Sequence, residues 1–182
     1  MIASNIAKRY ARAFFDVEDR HERCYDELKR FVGVLETNRR LKDFLSNPVF
    51  ENKDKKAVVG KVLQMLNISP STANFLNLLV DKRRIGVISE IEDAYRKLMD
   101  NALGIARVQV KTAFSLSPGL SDSLKRGLES FTGKQVDMQV EEDASLLGGI
   151  VVRVGDKLYD GSIKMQLNNM MKLLGDVHVE SR

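Results

Sequence analysis

Few side chains in this sequence have a type and spacing that could carry out chemistry. His21 and His178 stand alone in polar or charged stretches, so each is expected to be a solvated surface residue rather than a metal ligand. The single cysteine, Cys24, falls on an apolar helical face, where a small buried side chain is expected rather than a reactive thiol. One cysteine also excludes an internal disulfide and fits a reducing compartment.

Two short motifs have residue types that occur in phosphate or metal sites. Gly148 and Gly149 are adjacent, but the sequence contains no GxxxxGK[ST] or GxGxxG pattern, so a phosphate loop is not expected. The acidic run Glu141-Glu142-Asp143 could bind a divalent ion, although a charged loop is usually just solvated. We therefore predict no catalytic residue, no cofactor and no metal site, and we expect the protein not to be an enzyme.

The composition predicts a soluble, globular protein. The chain has 182 residues, of which 43% are hydrophobic and 30% are charged. No apolar run approaches the ~20 residues that span a bilayer, and the first residues lack the pattern of a signal or transit peptide. The net charge is +4, and all of the excess lies in residues 1–104. That charge is dispersed, apart from three lysines near residue 55 and the run Lys82-Arg83-Arg84.

Residues 1–104 carry the apolar periodicity of helices. The predicted helices cover about residues 4–19, 22–36, 38–47, 52–66, 70–83 and 87–103. Asn38 is a candidate N-cap, Ser69-Pro70 is a start signal, and Gly104 is a natural stop. On the fourth helix, an inward face of Val58, Val62, Met65 and Leu66 is expected.

After residue 104 the apolar residues alternate with polar ones, a period of two residues. Alternation from Ala106 and again from Val136 predicts strands, with a helix of apolar spacing between them. Gly155-Asp156 separates two short apolar runs and predicts a tight hairpin. Asp160-Gly161-Ser162 ends the hairpin, and Ser162 is a plausible N-cap for a last amphipathic helix that should cover it. The predicted class is α+β: a six-helix bundle over 1–104, then a small α/β domain over 105–182.

The first and fifth helices have more apolar surface than one core contact requires. Such a helix is either central in its bundle or contacts a second partner, and the residues alone leave both possibilities open. Met165, Met170 and Met171 of the last helix allow the same two interpretations, since methionine fills irregular cores and also forms binding surfaces.

The tail of the sequence resembles the delta subunit family of F-type ATP synthases, whose mitochondrial counterpart is the oligomycin-sensitivity-conferring protein. The similarity is carried by LGGIVVRVGD, residues 147–156, followed by YDGS, residues 159–162. The signature positions are Gly148, Gly149, Gly155, Asp156, Asp160, Gly161 and Ser162. AKRYARAFF at residues 7–15, Asn47-Pro48 and residues 74–95 also resemble the family.

The resemblance implies a stator subunit that ties the catalytic head to the peripheral stalk and resists rotor torque during proton-driven ATP synthesis. In this family a groove between the first and fifth helices receives the N-terminal helix of an alpha subunit. The positions that match the groove are Tyr10, Ala13, Phe75 and Leu78. The second domain is implied to meet the b subunit of the stalk. Membrane association would then be peripheral, through the complex, on the cytoplasmic face of a bacterial membrane.

A nucleic-acid-binding protein with a helical domain and a small α/β module is the alternative function. Its support is a pI of about 9.2 and the two basic clusters. Against it, the sequence has no GxxG in a helix–helix loop and no aromatic strand of the RNP type. We therefore expect no nucleic-acid partner.

Overall fold

Six helices form from the period-3.6 patterns of the first part of the chain in the computed structural model, which describes residues 4–176. Their bounds are α1 Asn5–Val17, α2 His21–Thr37, α3 Arg39–Ser46, α4 Asn52–Met65, α5 Pro70–Asp81 and α6 Ile88–Ala102, with a 3-10 turn, Ile85–Val87, before α6. Asn38 caps α3 as predicted, because its Oδ1 accepts a hydrogen bond from the Leu41 amide at 3.1 Å. The predicted six-helix bundle is confirmed.

The core of the bundle lies between the apolar faces of α1, α2, α5 and α6. The buried apolar rows of these helices include Ala7, Ala11 and Phe14 of α1, and Cys24, Leu28, Phe31 and Leu35 of α2. Tyr95 of α6 is one of the largest fully buried side chains. These contacts fix α1 against α5 and α6, which determines the shape of the surface described below.

The prediction for the inward face of α4 was wrong in part: Val62 and Leu66 pack against the core, but they are not its buried row. Val59 and Leu63 are buried, whereas Val58, Val62 and Leu66 are only half-buried and Met65 is 82% exposed. The buried row follows the spacing of four from Lys55 through Val59 to Leu63, and the aliphatic stem of Lys55 takes part in it. Because one member of this row is a lysine, the apolar periodicity of the sequence does not reveal it.

The second unit is a four-stranded sheet with one crossover helix. Its elements are β1 Ile105–Thr112, α7 Pro118–Thr132, β2 Gln135–Glu142, β3 Ile150–Val154, β4 Lys157–Asp160 and α8 Ile163–Asp176, with a 3-10 turn, Ala144–Leu146, after β2. The strand order is β2-β1-β3-β4; β1 pairs with β2 in parallel, and the other pairs are antiparallel. The predicted β-α-β-β-β-α order and the α+β class are confirmed.

The core of this unit is small. Val108 and Val110 of β1, Val136 of β2 and Val152 of β3 are buried, and Leu124 and Leu128 of α7 pack against them. Leu120 and Phe131 of the same helix are exposed. Because this core consists of four buried valines and half-buried partners, little buried apolar surface stabilises the second unit.

The expectation that the last helix covers the hairpin was wrong. Every side chain of α8 from Ile163 to Lys172 is exposed. Leu167, Met170 and Met171 are the apolar side chains farthest along that stretch, and they are between 47% and 69% exposed. The amphipathic pattern of α8 is real, but its apolar side is not used within the described chain.

The chain divides into two compact units between Met99 and Asp100, slightly before the change of period at Gly104. Met99 is buried in the first core. Asp100 belongs to the second unit because Arg107 of β1 donates to it twice, at 2.7 and 3.0 Å, and also to Asp137 of β2 at 2.9 Å. Gly104 has φ +65°, a left-handed conformation that suits the end of α6.

Candidate functional site

A groove lies along α1 in the first unit. It has a volume of about 430 Å³ and is lined by Ile6, Arg9, Tyr10, Ala13 and Arg84. The first four residues follow one face of α1, and Arg84 comes just after α5. Ala13 contributes only a methyl group, so the backbone of α1 is open to close approach at this point.

The wall formed by α1 is held at both ends. The Ser4 side chain accepts from the Ala7 amide at 3.3 Å, and the Ser4 amide donates to Glu90 of α6 at 2.8 Å. Further along, Phe14 stacks on Phe75 of α5 with ring centroids 4.2 Å apart and a tilt of 9°. The groove is therefore a preformed surface on a rigid pair of helices.

A buried carboxylate fixes the start of α5. Glu27 of α2 is 1% exposed and accepts from the Ser69 amide at 3.1 Å and the Ser69 hydroxyl at 2.6 Å. Arg23 donates to the same carboxylate at 3.0 Å. Burial alone raises the pKa of the Glu27 carboxyl, but hydrogen bonds from Ser69, Thr72 and Arg23 bring that pKa below its usual value. Ser69 thus stands at the predicted N-cap position, but its hydroxyl binds the side chains of Glu27 and Thr72 and caps no backbone amide of the helix.

An aromatic cluster supports the other end of α1. His21 stacks on Phe15 with centroids 3.8 Å apart, and its Nδ1 lies 3.4 Å from the Tyr95 hydroxyl. The expectation that His21 is a solvated surface residue was therefore wrong, while His178 lies outside the described residues. Burial raises the pKa of both Tyr95 and Cys24, so neither ionises near neutral pH. Cys24 is buried, as predicted.

In the second unit, the backbone of Gly148-Gly149 lies against the backbone of Gly161-Ser162. We call this contact the clamp. Gly149 has φ +81°, and a Cβ built on it would lie 2.3 Å from the Gly161 carbonyl oxygen. The Gly161 amide donates to the Ile150 carbonyl at 2.9 Å, and the Ile163 amide donates to the Gly148 carbonyl at 3.0 Å. A Cβ on Gly148 would lie 2.5 Å from the Ile163 side chain. Only glycine allows these two segments to approach so closely.

The clamp sets the first turn of α8. Ser162 is buried and its Oγ accepts from the Met165 amide at 3.1 Å, which confirms the predicted N-cap. Asp160 accepts from the Ser162 amide at 2.9 Å, and the hydrogen bonds from Ser162 lower the pKa of Asp160. Gly155 has φ +60° and opens the two-residue turn Gly155-Asp156, as glycine does in a type II′ hairpin.

A second apolar surface lies on this unit. α8 exposes Ile163, Met165, Leu167, Met170 and Met171, and the sheet edge exposes Leu158 and Tyr159. Phe131 of α7 meets Tyr159 edge to face at 5.8 Å, and both rings remain open to solvent. Exposed apolar side chains in such number are typical of an interaction surface.

Comparison with known proteins identifies the family. The sequence profile of the ATP synthase delta (OSCP) subunit family matches residues 6–174. The chain belongs to this family. It is 57% identical over 179 residues to ATP synthase subunit delta of Syntrophus aciditrophicus, covering 97% of this chain and 99% of that protein. It is 39% identical to ATP synthase subunit delta of Trichlorobacter lovleyi, covering 96% and 98%.

The fold of this chain is also seen in a solved structure. A chain in the cryo-EM structure of the Toxoplasma gondii mitochondrial ATP synthase hexamer superimposes with a TM-score of 0.68 at 18% identity, covering 94% of this chain and 98% of that one. Membership of the delta (OSCP) family places the protein in the stator, at the peripheral stalk, as a structural subunit of ATP synthase. No comparison supports the nucleic-acid alternative.

The structure places the four predicted groove residues unevenly. Tyr10 is half-buried and Ala13 is exposed, and both line the groove. Leu78 is 43% exposed, but Phe75 is only 7% exposed because it stacks on Phe14. In the free chain Phe75 therefore supports α1 from inside, and its contact with a partner helix stays a prediction.

Sequence reasoning missed Arg9 and Arg84 as groove residues. Lys82-Arg83-Arg84 was noticed only as a basic run, and Arg9 lies in the stretch that resembles the family. Spacing could have placed Arg9 beside Ala13, since residues four apart share a helix face. Nothing in the sequence relates Arg84 to α1, because that proximity depends on how α1 packs on α5.

No helix among residues 4–176 is long and apolar enough to cross a membrane. Within the same range, no three His, Cys, Asp or Glu side chains come together as metal ligands. The acidic run at residues 141–143 is engaged internally: Lys111 pairs with Glu141 at 3.3 Å, Ser115 donates to Glu142, and Asp143 accepts from the Ser145 amide at 3.0 Å.

Proposed function

We propose that this chain ties the catalytic head of ATP synthase to the peripheral stalk by binding the N-terminal helix of an alpha subunit with its first unit and the b subunit with its second. It acts without catalytic residues of its own. It sits on the cytoplasmic face of a bacterial membrane and is held there through the complex.

The observation that carries the proposal is the groove along α1. An amphipathic helix needs a partly apolar channel between two fixed helices, and Ile6, Tyr10 and Ala13 supply apolar contacts on α1. The stacked pair Phe14–Phe75 keeps α1 and α5 in place, so little ordering cost arises on binding. Leu78, on the turn after Phe75, extends the apolar surface of α5.

The exposed apolar face of α8 supports the second contact. Leu167 and Met171 are four residues apart and share one face of the helix. A stalk subunit that packs against this face would bury side chains that the chain itself leaves open. The clamp at Gly148–Ser162 holds the first turn of α8 in a defined place for that contact.

Calorimetric titration tests the head contact. The probe is a synthetic peptide of the first ~20 residues of the same organism's alpha subunit, long enough for a helix of about 30 Å. Ala13→Phe fills the groove and Leu78→Asp places a charge where an apolar helix must dock, which costs several kcal/mol. We expect at least ~100-fold weaker binding for each, at ~1.4 kcal/mol per decade. Ala13→Asp is a poorer choice, because Arg9 one turn earlier could pair with the new carboxylate.

The control is thermal stability, which should change little for Ala13→Phe and Leu78→Asp, since both positions are exposed. Phe75→Ala should instead lower the melting temperature, because Phe75 is buried against Phe14. Unchanged peptide affinity in well-folded Ala13→Phe and Leu78→Asp variants would place the head contact elsewhere.

Affinity purification from solubilised membranes tests both contacts together. The tagged wild-type chain should retain alpha, beta and b subunits. A Leu167→Glu, Met171→Glu double variant should lose the b subunit and keep the head, while Leu78→Asp should do the reverse. Retention of b by the folded double variant would contradict the role of α8.

A further inference from the structure

The groove along α1 is lined by two arginines, Arg9 and Arg84. Arg9 belongs to α1 and Arg84 comes just after α5, and both are exposed. Neither side chain forms a hydrogen bond or ion pair with another residue in the described part of the chain. By contrast Arg12, three residues along the same helix, pairs with Asp16 at 3.0 Å.

Among residues 4–176, no carboxylate lines the groove. Glu90, which reaches the start of α1, is already bound to the Ser4 amide at 2.8 Å. Lys82 and Arg83 precede Arg84 and are exposed, so they add positive charge to the same end of α5. A partly apolar groove with two cations and no anion favours an occupant with acidic groups beside its apolar side chains.

We propose that the helix occupying the groove carries acidic side chains along the edge of its apolar stripe, and that Arg9 and Arg84 bind them as ion pairs. This inference rests on the proposed function of the groove and adds the chemistry by which the partner is selected. The apolar walls provide affinity for any amphipathic helix. The two arginines fix its register and direction, because only one placement brings carboxylates to both guanidinium groups.

The test uses the full-length chain and the same alpha-subunit peptide, titrated at about 50 and 300 mM NaCl, a range over which exposed charge pairs become strongly screened. Arg9→Gln and Arg84→Gln remove one cation each, and Arg12→Gln is the matched control. A peptide in which the glutamates and aspartates are replaced by glutamine and asparagine completes a double-mutant cycle.

We expect each groove variant to bind the peptide about two- to fivefold more weakly at low salt, a size typical of partly exposed ion pairs. The salt dependence should shrink in those variants, and Arg12→Gln should bind as the wild type does. The neutral peptide should bind more weakly to the wild type and be insensitive to Arg9→Gln and Arg84→Gln.

Two outcomes would overturn the inference for different reasons. If the peptide binds, and Leu78→Asp abolishes that binding while Arg9→Gln and Arg84→Gln leave it unchanged, the arginines do not select the partner but the proposed function stands. If the wild-type chain does not bind the peptide at either salt concentration, the groove is not the head contact and the proposed function fails with it.

Discussion

At the scale of single residues, Gly149 shows how a family motif can be a requirement of geometry. It has a left-handed φ of +81°, and its Cα faces the carbonyl of Gly161. Any side chain must both strain the backbone and push the start of α8 away from β3. The motif is therefore explained by the close approach of two backbones, without any ligand.

We predict that Gly149→Ala destabilises the second unit by at least ~2 kcal/mol, because the new Cβ would lie 2.3 Å from a backbone oxygen that cannot move aside. Thermal unfolding monitored by circular dichroism measures the effect. Gly127→Ala is the matched control: Gly127 is exposed within α7 and has no atom within 4 Å of its built Cβ, so alanine should stabilise by about 0.5–1 kcal/mol. Equal melting temperatures for the two variants would show that the clamp is not tight.

Phe75 marks the limit of sequence reasoning at this scale. Residues three apart share a helix face, as Phe75 and Leu78 do on α5 and Tyr10 and Ala13 on α1, but periodicity does not say how deeply that face is buried. The answer depended on a contact between helices distant in sequence, the stacking of Phe14 on Phe75. Such contacts are absent from a local pattern.

At the scale of elements, the junction between α2 and α5 depends on a buried charge. Glu27 satisfies the amide and hydroxyl of Ser69, and its carboxylate form accepts these hydrogen bonds together with one from Arg23. Its pKa in the folded state lies below that of the unfolded chain. This group therefore stabilises the fold above the unfolded pKa of about 4.3, and the contribution is lost as pH falls through the lower folded pKa.

We predict that Glu27→Gln lowers the free energy of unfolding by about 1–3 kcal/mol at pH 7, the cost of leaving buried hydrogen-bond partners poorly satisfied. The deficit relative to the wild type should shrink as pH is lowered below about 4, because the wild-type carboxyl is then protonated as well. Urea unfolding at pH 7 and at low pH measures it. Glu36→Gln, at an exposed position of the same helix, should be nearly neutral; a similar loss there would assign the effect to net charge.

Helices and strands with strong apolar periodicity were predicted well. The buried row of α4 and the role of α8 were not, and each failure has its own physical reason. The buried row of α4 was missed because Lys55 occupies a core position by its stem. The role of α8 was misjudged because an amphipathic pattern indicates an apolar face but not whether that face meets its own chain or another. The adjacent glycines mark where the backbone is approached closely, but the sequence does not say which segment approaches it.

At the scale of the whole molecule, the two units have separate cores. We predict that a fragment ending at Leu103 folds alone and binds the alpha-subunit peptide as the full chain does, because α6 and the whole of the first core are kept. Circular dichroism and calorimetry test this. A fragment that lacks helical signal, or one that is helical but does not bind, would contradict the independence of the first unit.

We also predict that deletion from Ser162 onward uncouples ATP synthesis from the proton gradient while the head still hydrolyses ATP. The deletion removes the N-cap, the clamp bonds of the first turn and the exposed face of α8, but no residue proposed to act in catalysis. ATPase activity and proton pumping of reconstituted vesicles measure the two properties. Loss of ATP hydrolysis itself would be inconsistent with a purely structural role.

The position of the glycine clamp has a mechanical consequence. β4 is an edge strand joined to β3 by only four residue pairs, and the turn at Gly155 closes the far end of that hairpin. A pulling force applied to α8 and resisted at β1 acts on the end of the hairpin opposite the turn. At that end the hydrogen bonds between the two strands are loaded and broken one after another. The first bonds that this force meets are those of Gly161 with Ile150 and Ile163 with Gly148. In a stator subunit that must resist repeated load, the small residues of the clamp therefore reinforce the β3–β4 hairpin at the end where its strands would first separate.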